Sequence, residues 1–293
     1  MRAMRRSHLD ATGAALLIVF TLILGVNQVV MKLTATGLSP LFQAGLRSVG
    51  AAICVGAWVR WRGIAFPLDR GIVISGIVLG AIFTLEFGAL YLAIDMSTVS
   101  RVSIIFYSMP VHMSIAAHFL LPGERLNRTR MLGLVLAMAG VVVVMIDRNA
   151  AQASLAGDLL ALVAALGWAS IPLMLRLTPL SRIPAESAQL WQVMASAPML
   201  LLLAPLFGPL VRDFGPEHVA YMAYQIVVVA SFAFLMWFVL LRIYPASSVA
   251  SFGFLTPIFS VLMAWVVLGE TLHWNVLVSL VLVAAGLVLI NRR

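Results

Sequence analysis

The sequence predicts an all-α membrane protein of ten transmembrane helices, built as two inverted five-helix repeats, and three observations lead there. The 293-residue chain is 62% hydrophobic and 10% charged, with a mean hydropathy of +1.06, which excludes a soluble globular protein. Its apolar residues form continuous runs of about 20, the length a helix needs to cross a hydrocarbon core roughly 30 Å thick. A pattern in the first half of the chain recurs in the second.

The ten runs, read between polar breaks, span 11–33, 41–59, 71–94, 99–121, 130–146, 156–177, 185–207, 218–241, 246–268 and 274–291. They are continuous rather than alternating apolar with polar, so they predict helices and not barrel strands. The first follows a basic stretch, as a signal peptide does. Its run from Ala11 to Leu33 is longer than a signal core, carries Asn27 and Gln28, and shows no clear small-residue cleavage site, so it is expected to stay in the mature protein. The later breaks hold the charge. Arg60, Arg62 and Arg70 separate the second crossing from the third, and Arg125, Arg128 and Arg130 the fourth from the fifth; Arg176 and Arg182 follow the sixth, and Arg242 the eighth. With Arg2, Arg5, Arg6, Arg292 and Arg293 these make 14 of the 19 basic residues on one side. Lys32, Arg148 and Arg212 lie on the other, with Arg47 and Arg101 just inside the second and fourth crossings. Basic loops stay in the cytoplasm, so both termini are expected there, with an even number of crossings through the cell's inner (plasma) membrane. The net charge of +8 is thereby a topology signal, and no nucleic-acid partner is expected.

Leu90 to Val99, joining the third and fourth crossings, is echoed by Leu240 to Val249, with leucine, serine and valine at matching offsets. Pro110 then precedes Gly123, Glu124 and Leu126, with Gly140 further on; Pro257 precedes Gly269, Glu270 and Leu272, with Gly286 further on. The spacing from Glu to Gly is 16 in both halves. Five crossings are an odd number, so the second copy enters the membrane in the opposite orientation. The halves are expected at 1–147 and 148–293, an arrangement found in many secondary transporters, whose site lies near the midplane between the repeats.

Ser100-Arg101-Val102-Ser103-Ile104-Ile105-Phe106-Tyr107-Ser108-Met109-Pro110, Leu121 to Leu126, Thr256-Pro257 and Leu268 to Leu272 together resemble the drug/metabolite transporter superfamily, EamA-type. The likeness extends over the chain in length, helix count, topology and duplicated halves. Within that superfamily the chain is similar to an aromatic amino acid exporter, through Glu86 in the third crossing, Tyr107 shortly before Pro110, and Trp168-Ala169 in the sixth; Met109 stands where that subgroup has tryptophan. The resemblance implies a secondary transporter that exports amino acids, aromatic or other neutral ones among them, or related small metabolites.

The residues themselves nominate a site. Thr21, Gly25, Gln28 and Lys32 follow one face of the first helix, with Asn27 beside them. Amides in lipid are costly unless they pair with a neighbouring helix or line a wet cavity. Lys32, near the outer end, is expected to snorkel. Ser103, Tyr107, Pro110 and Ser114 share a helical spacing in the fourth crossing, as Gly253, Thr256 and Ser260 do in the ninth. Pro110 and Pro257 remove a backbone donor at corresponding places and are read as hinges beside the site, with purely structural kinks as the alternative. Trp168, midway along the sixth crossing and away from the interfacial belt, can pack on a ligand and donate its indole N–H. Glu86 is the only acidic residue well inside a crossing, a functional candidate unless Arg101 or an amide pairs with it. His112 and His118 are given no role, and Glu124 and Glu270, at loop edges, are read as helix-end caps. The expected substrate-binding set is therefore Asn27, Gln28, Glu86, Ser103, Tyr107, Trp168, Thr256 and Ser260.

No GxxxxGK[S/T] loop occurs, so direct ATP drive is not expected. The competing reading, a membrane-embedded lipid-modifying enzyme, would need convergent His, Asp or Ser groups at one surface, yet neither HExxH nor GxSxG is present. A structural subunit, the third class, would require neither the paired prolines nor a buried carboxylate. The single cysteine, Cys54, precludes an intrachain disulfide, and a structural zinc site is not expected. No cofactor, metal or catalytic residue is expected. The partners are a small-molecule substrate (amino acid or metabolite) and membrane lipid, and the chain is read as a monomer, with a dimer as the alternative.

Overall fold

The computed structural model describes residues 10–121, 126–146, 154–244 and 252–291, which are helical apart from short connections and one isolated antiparallel bridge between Leu38 and Val211. Helices α1 (Ala11–Thr34), α2 (Pro40–Trp61) and α3 (Arg70–Met96) match the first three apolar runs. The fourth run is two helices, α4 (Val99–Phe106) and α5 (Met109–Leu120). Helices α6 (Arg128–Ile146), α7 (Leu155–Leu177) and α8 (Ala185–Leu203) take the next three. The eighth is α9 (Pro216–Ala223), a π-helical segment (Tyr224–Ala233) and α10 (Phe234–Ile243) in unbroken succession, and α11 (Leu255–Leu268) and α12 (Trp274–Asn291) follow. Seven helical stretches among the described residues are long and apolar enough to cross a membrane, α4 with α5 forming one of them, and α11 and α12 are shorter apolar helices. Arg2, Arg5, Arg6, Gly123, Glu124, Arg125, Arg148, the Pro245 to Val249 half of the repeat, Arg292, Arg293 and the expected boundary at 147 and 148 lie outside the described residues.

The fourth run breaks at Tyr107 and Ser108. The Ser108 hydroxyl bonds back to the Ile105 carbonyl at 2.6 Å, and Pro110 falls in the first turn of α5, where its missing N–H has no helical acceptor to lose. Pro257 lies likewise in the first turn of α11, after a 3-10 turn at Phe252–Phe254. Pro110 thus opens a helix after a break rather than kinking a continuous one, and Pro257 stands two residues into the α-helix that follows the 3-10 turn. The prolines that do interrupt helices are Pro172 in α7 and Pro198 in α8. Pro172 leaves the carbonyl of Trp168, four residues earlier, without its helical donor.

Helix α6 lies against α12 with opposed chain directions. A Cβ on Gly133 would meet the Gly286 carbonyl at 2.7 Å, and one on Gly140 the Ser279 carbonyl at 2.7 Å, so the backbones approach as small-residue helix pairs do in lipid. Helix α2 packs on α8, α3 on α7 and α8, α1 on α11, α4 and α5 on α7, α4 on α11, and the π segment on α1 and α2. The main apolar core draws on both ends of the chain, from Val29, Leu90 and Ile104 to Ala164, Leu200 and Val283.

Polar contacts tie the helix ends in two groups. In one, Lys32 Nζ donates to the carbonyls of Ile94 (2.7 Å), Asp95 (3.2 Å) and Ser97 (3.0 Å). Arg212 forks onto the Asp95 carboxylate at 2.7 and 2.9 Å and reaches the Ala35 carbonyl at 2.8 Å; its hydrogen bonds to Asp95 hold the guanidinium above its ordinary pKa. Glu270 accepts from the amides of Val99 (2.6 Å) and Ser100 (3.0 Å) and from the Ser100 hydroxyl (2.6 Å). Gly269, left-handed at φ 67°, ends α11 and turns the chain so that Glu270 reaches α4. In the second group, Tyr244 donates to Asp10 (2.6 Å) and Ser187 to the Ala65 carbonyl (2.6 Å). Lys32, expected to snorkel, instead satisfies the last carbonyls of α3. Glu270 caps a helix as expected, and that helix belongs to the other half of the chain.

Candidate functional site

Helices α1 and α11 meet where residue 25 is glycine: a Cβ there would stand 2.6 Å from Phe259 Cβ and 3.0 Å from the Ser260 amide, and α4 packs on both helices. One turn along α1, Gln28 stands near the Tyr107 hydroxyl, and Thr256 of α11 stands near the same oxygen. The break after Phe106 is what presents Tyr107 at this junction, as the residue that caps the C-terminal end of α4. Ser103 stands one turn back, its carbonyl accepting from the Tyr107 amide at 2.9 Å, and Ser260 one turn on from Thr256, donating to the Thr256 carbonyl at 3.0 Å. Asn27 directs its amide nitrogen at Met31 Sδ, 3.3 Å away. Thr21, on the same stripe in sequence, turns back onto the Leu17 and Ile18 carbonyls of its own helix and takes no part. Asn27 Oδ1, Gln28 Oε1 and Ser103 Oγ are buried with no hydrogen-bond partner. Such atoms are costly in an apolar interior and rare in native folds, and a polar ligand or water would satisfy them.

Glu86 forms a second group. Its side chain is fully buried, and neither carboxylate oxygen has a hydrogen-bond partner. It packs on Gly167 of α7, where a Cβ would lie 2.9 Å from that of Glu86, and the next residue is Trp168, half-buried against the main core. The sequence offers Arg101 as a partner for Glu86. The structure pairs Arg101 with Asp158 in the first turn of α7 instead, Nε to Oδ1 at 3.3 Å and Nη2 to Oδ2 at 2.6 Å, both side chains buried. Arg47 of α2 holds its guanidinium over the residue of α3 that follows Glu86, 4.5 Å from the centroid of the Phe87 ring. Phe83, Phe87 and Tyr91 follow one another along α3 at 4.1 and 5.8 Å. The Tyr91 hydroxyl donates to Gln225 of the π segment (2.6 Å), which donates to Thr34 of α1 (2.8 Å).

The structure therefore brings Gln28, Tyr107 and Thr256 near one another, with Asn27 next to Gln28 and Ser103 and Ser260 one turn away, and packs Glu86 on Gly167, the residue before Trp168. Sequence reasoning missed Arg47, Gln43 and Gln225. Gln43 and Arg47, one turn apart and both buried, make a polar stripe on α2 of the kind that singled out α1. Gln225 is an amide within an apolar run, as Gln28 is. No group of three His, Cys, Asp or Glu residues among those described is placed to hold a metal.

Two successive stretches of the chain, residues 11–146 and 155–292, match the EamA-like transporter family. The chain belongs to that family. An EamA-like chain with these buried polar groups is a membrane transporter of small metabolites. Its relatives include an uncharacterized transporter, YoaV, of Bacillus subtilis, 24% identical over 271 residues that cover 91% of this chain and 92% of the relative. A Salmonella typhimurium protein named "Probable amino-acid metabolite efflux pump" is 27% identical over 293 residues, covering 93% of this chain and 92% of that one. A solved crystal structure shares the fold with a TM-score of 0.66 at 22% identity, over 96% of this chain and 97% of that chain.

Proposed function

We propose that this EamA-like chain is a secondary transporter that exports amino acids, aromatic or other neutral ones among them, or related small metabolites, by alternating access across the inner membrane. Its ten crossings form two inverted halves, with both termini cytoplasmic. The observation that carries the reading is the Tyr107 hydroxyl, presented at a helix break between Gln28 of the first half and Thr256 of the second. A ligand bound there touches both halves, so their relative movement changes which side it can leave from. The site comprises Asn27, Gln28, Glu86, Ser103, Tyr107, Trp168, Thr256 and Ser260, with Pro110 and Pro257 as hinges where the half-helices begin.

Packing supports the inverted halves. The shift of 146 residues that carries Glu124 onto Glu270 also carries Gly133 onto Ser279 and Gly140 onto Gly286. The contact of Gly133 with Gly286 thereby becomes that of Ser279 with Gly140, and both contacts exist. Exchanging the halves also turns the packing of α3 on α8 into that of the π segment on α2, and that of α1 on α11 into that of α4 and α5 on α7. The ties at the helix ends support the topology. Lys32 with Ser97, Arg212 with Asp95 and Glu270 with Ser100 join segments assigned to the outer side, whereas Asp10 with Tyr244 and Ala65 with Ser187 join segments assigned to the cytoplasm.

The test is counterflow in liposomes holding the purified protein, preloaded in turn with unlabelled neutral amino acids and related metabolites. Labelled substrate should accumulate, and Tyr107→Phe should slow it while leaving protein level and fold unchanged. Absence of exchange for every compound, or a Tyr107→Phe protein that exchanges as wild type does, defeats the reading of the site.

A further inference from the structure

We propose that Arg47 and Glu86 form the charged end of the substrate site, Arg47 receiving a carboxylate and Glu86 an ammonium group, so that the transported molecule is a zwitterion. The proposal rests on the transporter reading above and adds to it the substrate's charge pattern and a residue, Arg47, that the sequence did not nominate.

The two side chains come from neighbouring helices, α2 and α3, and are 3% and 0% exposed. Each holds polar atoms without a partner: Nε of Arg47 and both oxygens of Glu86. Arg101 and Asp158 show what a buried structural pair looks like in this chain, with the fork closed at 2.6 Å. Arg47 lies over Phe87, the residue next to Glu86, and the two close no such fork. The Phe87 ring, 4.5 Å from the guanidinium, offers a cation–π contact, which stabilises charge but supplies no oxygen acceptor. A guanidinium held like this is suited to take a carboxylate through two parallel hydrogen bonds. A carboxylate buried without a donor is suited to take an ammonium, whose three N–H groups are all donors.

Charge balance decides the substrate class. Breaking a buried pair by supplying only one counter-charge leaves the other uncompensated, at high cost in a low-dielectric interior. A simple anion would satisfy Arg47 and strand Glu86, and a simple cation would do the reverse. A zwitterion compensates both and carries no net charge into the membrane. Phe83, Phe87 and Tyr91 along α3 supply aromatic surface for an apolar body.

The experiment is thermal unfolding of the purified full-length protein with alanine, leucine and phenylalanine, each alongside its amine lacking the carboxylate and its acid lacking the ammonium; a ligand of the native state raises the melting temperature in proportion to its binding. At least one amino acid should stabilise the wild type more than its two analogues do. Arg47→Gln should weaken the apparent affinity for that amino acid and its acid by about 30-fold or more and leave the amine within about twofold. Glu86→Gln should do the opposite, sparing the acid. Should Arg47→Gln fail to fold, Arg47→Lys keeps the charge and loses the fork, and should cost about tenfold against the amino acid and its acid and nothing against the amine. Arg47 variants that bind all three forms as wild type does overturn the proposal. So does a double Arg47→Gln, Glu86→Gln protein that binds the amino acid normally, which would mean that the two charges only balance each other in the fold. If no amino acid stabilises the wild type, the zwitterion assignment fails, while counterflow of another metabolite leaves the transporter reading standing.

Discussion

Replacing Glu270 by alanine uncaps a helix that lies 170 residues away in the chain. The first amides of an α-helix have no acceptor within it, and at the start of α4 the cap residue Thr98 takes only the amide of Arg101, at 3.4 Å. Glu270 takes the amides of Val99 and Ser100. Both residues are buried, so water is a poor replacement. Losing a helix N-cap costs about 1 kcal/mol, and leaving a buried donor unsatisfied costs about 1–3 kcal/mol. The contributions overlap, so the expected loss for Glu270→Ala is about 2–4 kcal/mol. Glu270→Gln keeps one acceptor oxygen and gives up the charge at the positive end of the helix, for a loss of about 1 kcal/mol. The measurement is unfolding in mixed micelles titrated with SDS, followed by tryptophan fluorescence. An alanine variant within about 0.5 kcal/mol of wild type, the range of an ordinary surface substitution, would refute the capping argument. Equal losses for alanine and glutamine would show that charge alone is at work.

The Gly286 and Asp158 predictions use the same unfolding assay, and the last two are read by transport and by topology. Gly286→Ala drives a Cβ to 2.6 Å from the Gly133 carbonyl and 2.7 Å from the Ala137 amide, and should cost about 1–3 kcal/mol by forcing α6 and α12 apart; a neutral result would deny the close approach. Asp158→Asn removes the carboxylate from a buried fork and should cost about 3–5 kcal/mol, whereas Asp95→Asn, acting on a pair that is 31% and 25% exposed, should cost at most about 1 kcal/mol; the order reverses if burial does not set the scale. Trp168→Ala should weaken transport of bulky substrates more than that of small ones, and equal loss across sizes at unchanged protein level would assign Trp168 to packing. Reporter fusions should place both termini in the cytoplasm, and an external C-terminus would defeat the inverted repeat.

The fold was legible because lipid imposes a simple rule on sequence. Every backbone polar group in the hydrocarbon must be satisfied within its own helix, so a crossing appears as an unbroken apolar run, and α1, α3, α6 and α7 begin and end within two residues of the runs read for them. The interruptions inside runs were less legible. Pro110 announces a break in the fourth crossing but not its position, because a proline is most comfortable just after a break, and the residue presented there is Tyr107. The π segment at Tyr224–Ala233 has no mark of its own in an apolar stretch, since it differs from an α-helix by one step in hydrogen-bond partner and not by residue type.

The site divides along the same line. Asn27, Gln28, Tyr107 and Thr256 could be nominated because a polar side chain in lipid needs a reason to be there, and the repeat aligned the first half with the second. Pairing could not be read, because it depends on how helices rotate about their axes. Arg101 and Arg47 both stand just inside a crossing on the weakly basic side, and the charge pattern treats them alike. Rotation of α4 turns Arg101 to Asp158 on α7, where the fork closes and the charges are spent on structure. Rotation of α2 turns Arg47 over Phe87, next to Glu86 in the chain, and Nε of Arg47 and both oxygens of Glu86 have no hydrogen-bond partner among the described residues. Two arginines with the same sequence signature thus have different surroundings: the closed buried pair holds α4 to α7, and the open guanidinium is the one proposed to receive the substrate's carboxylate.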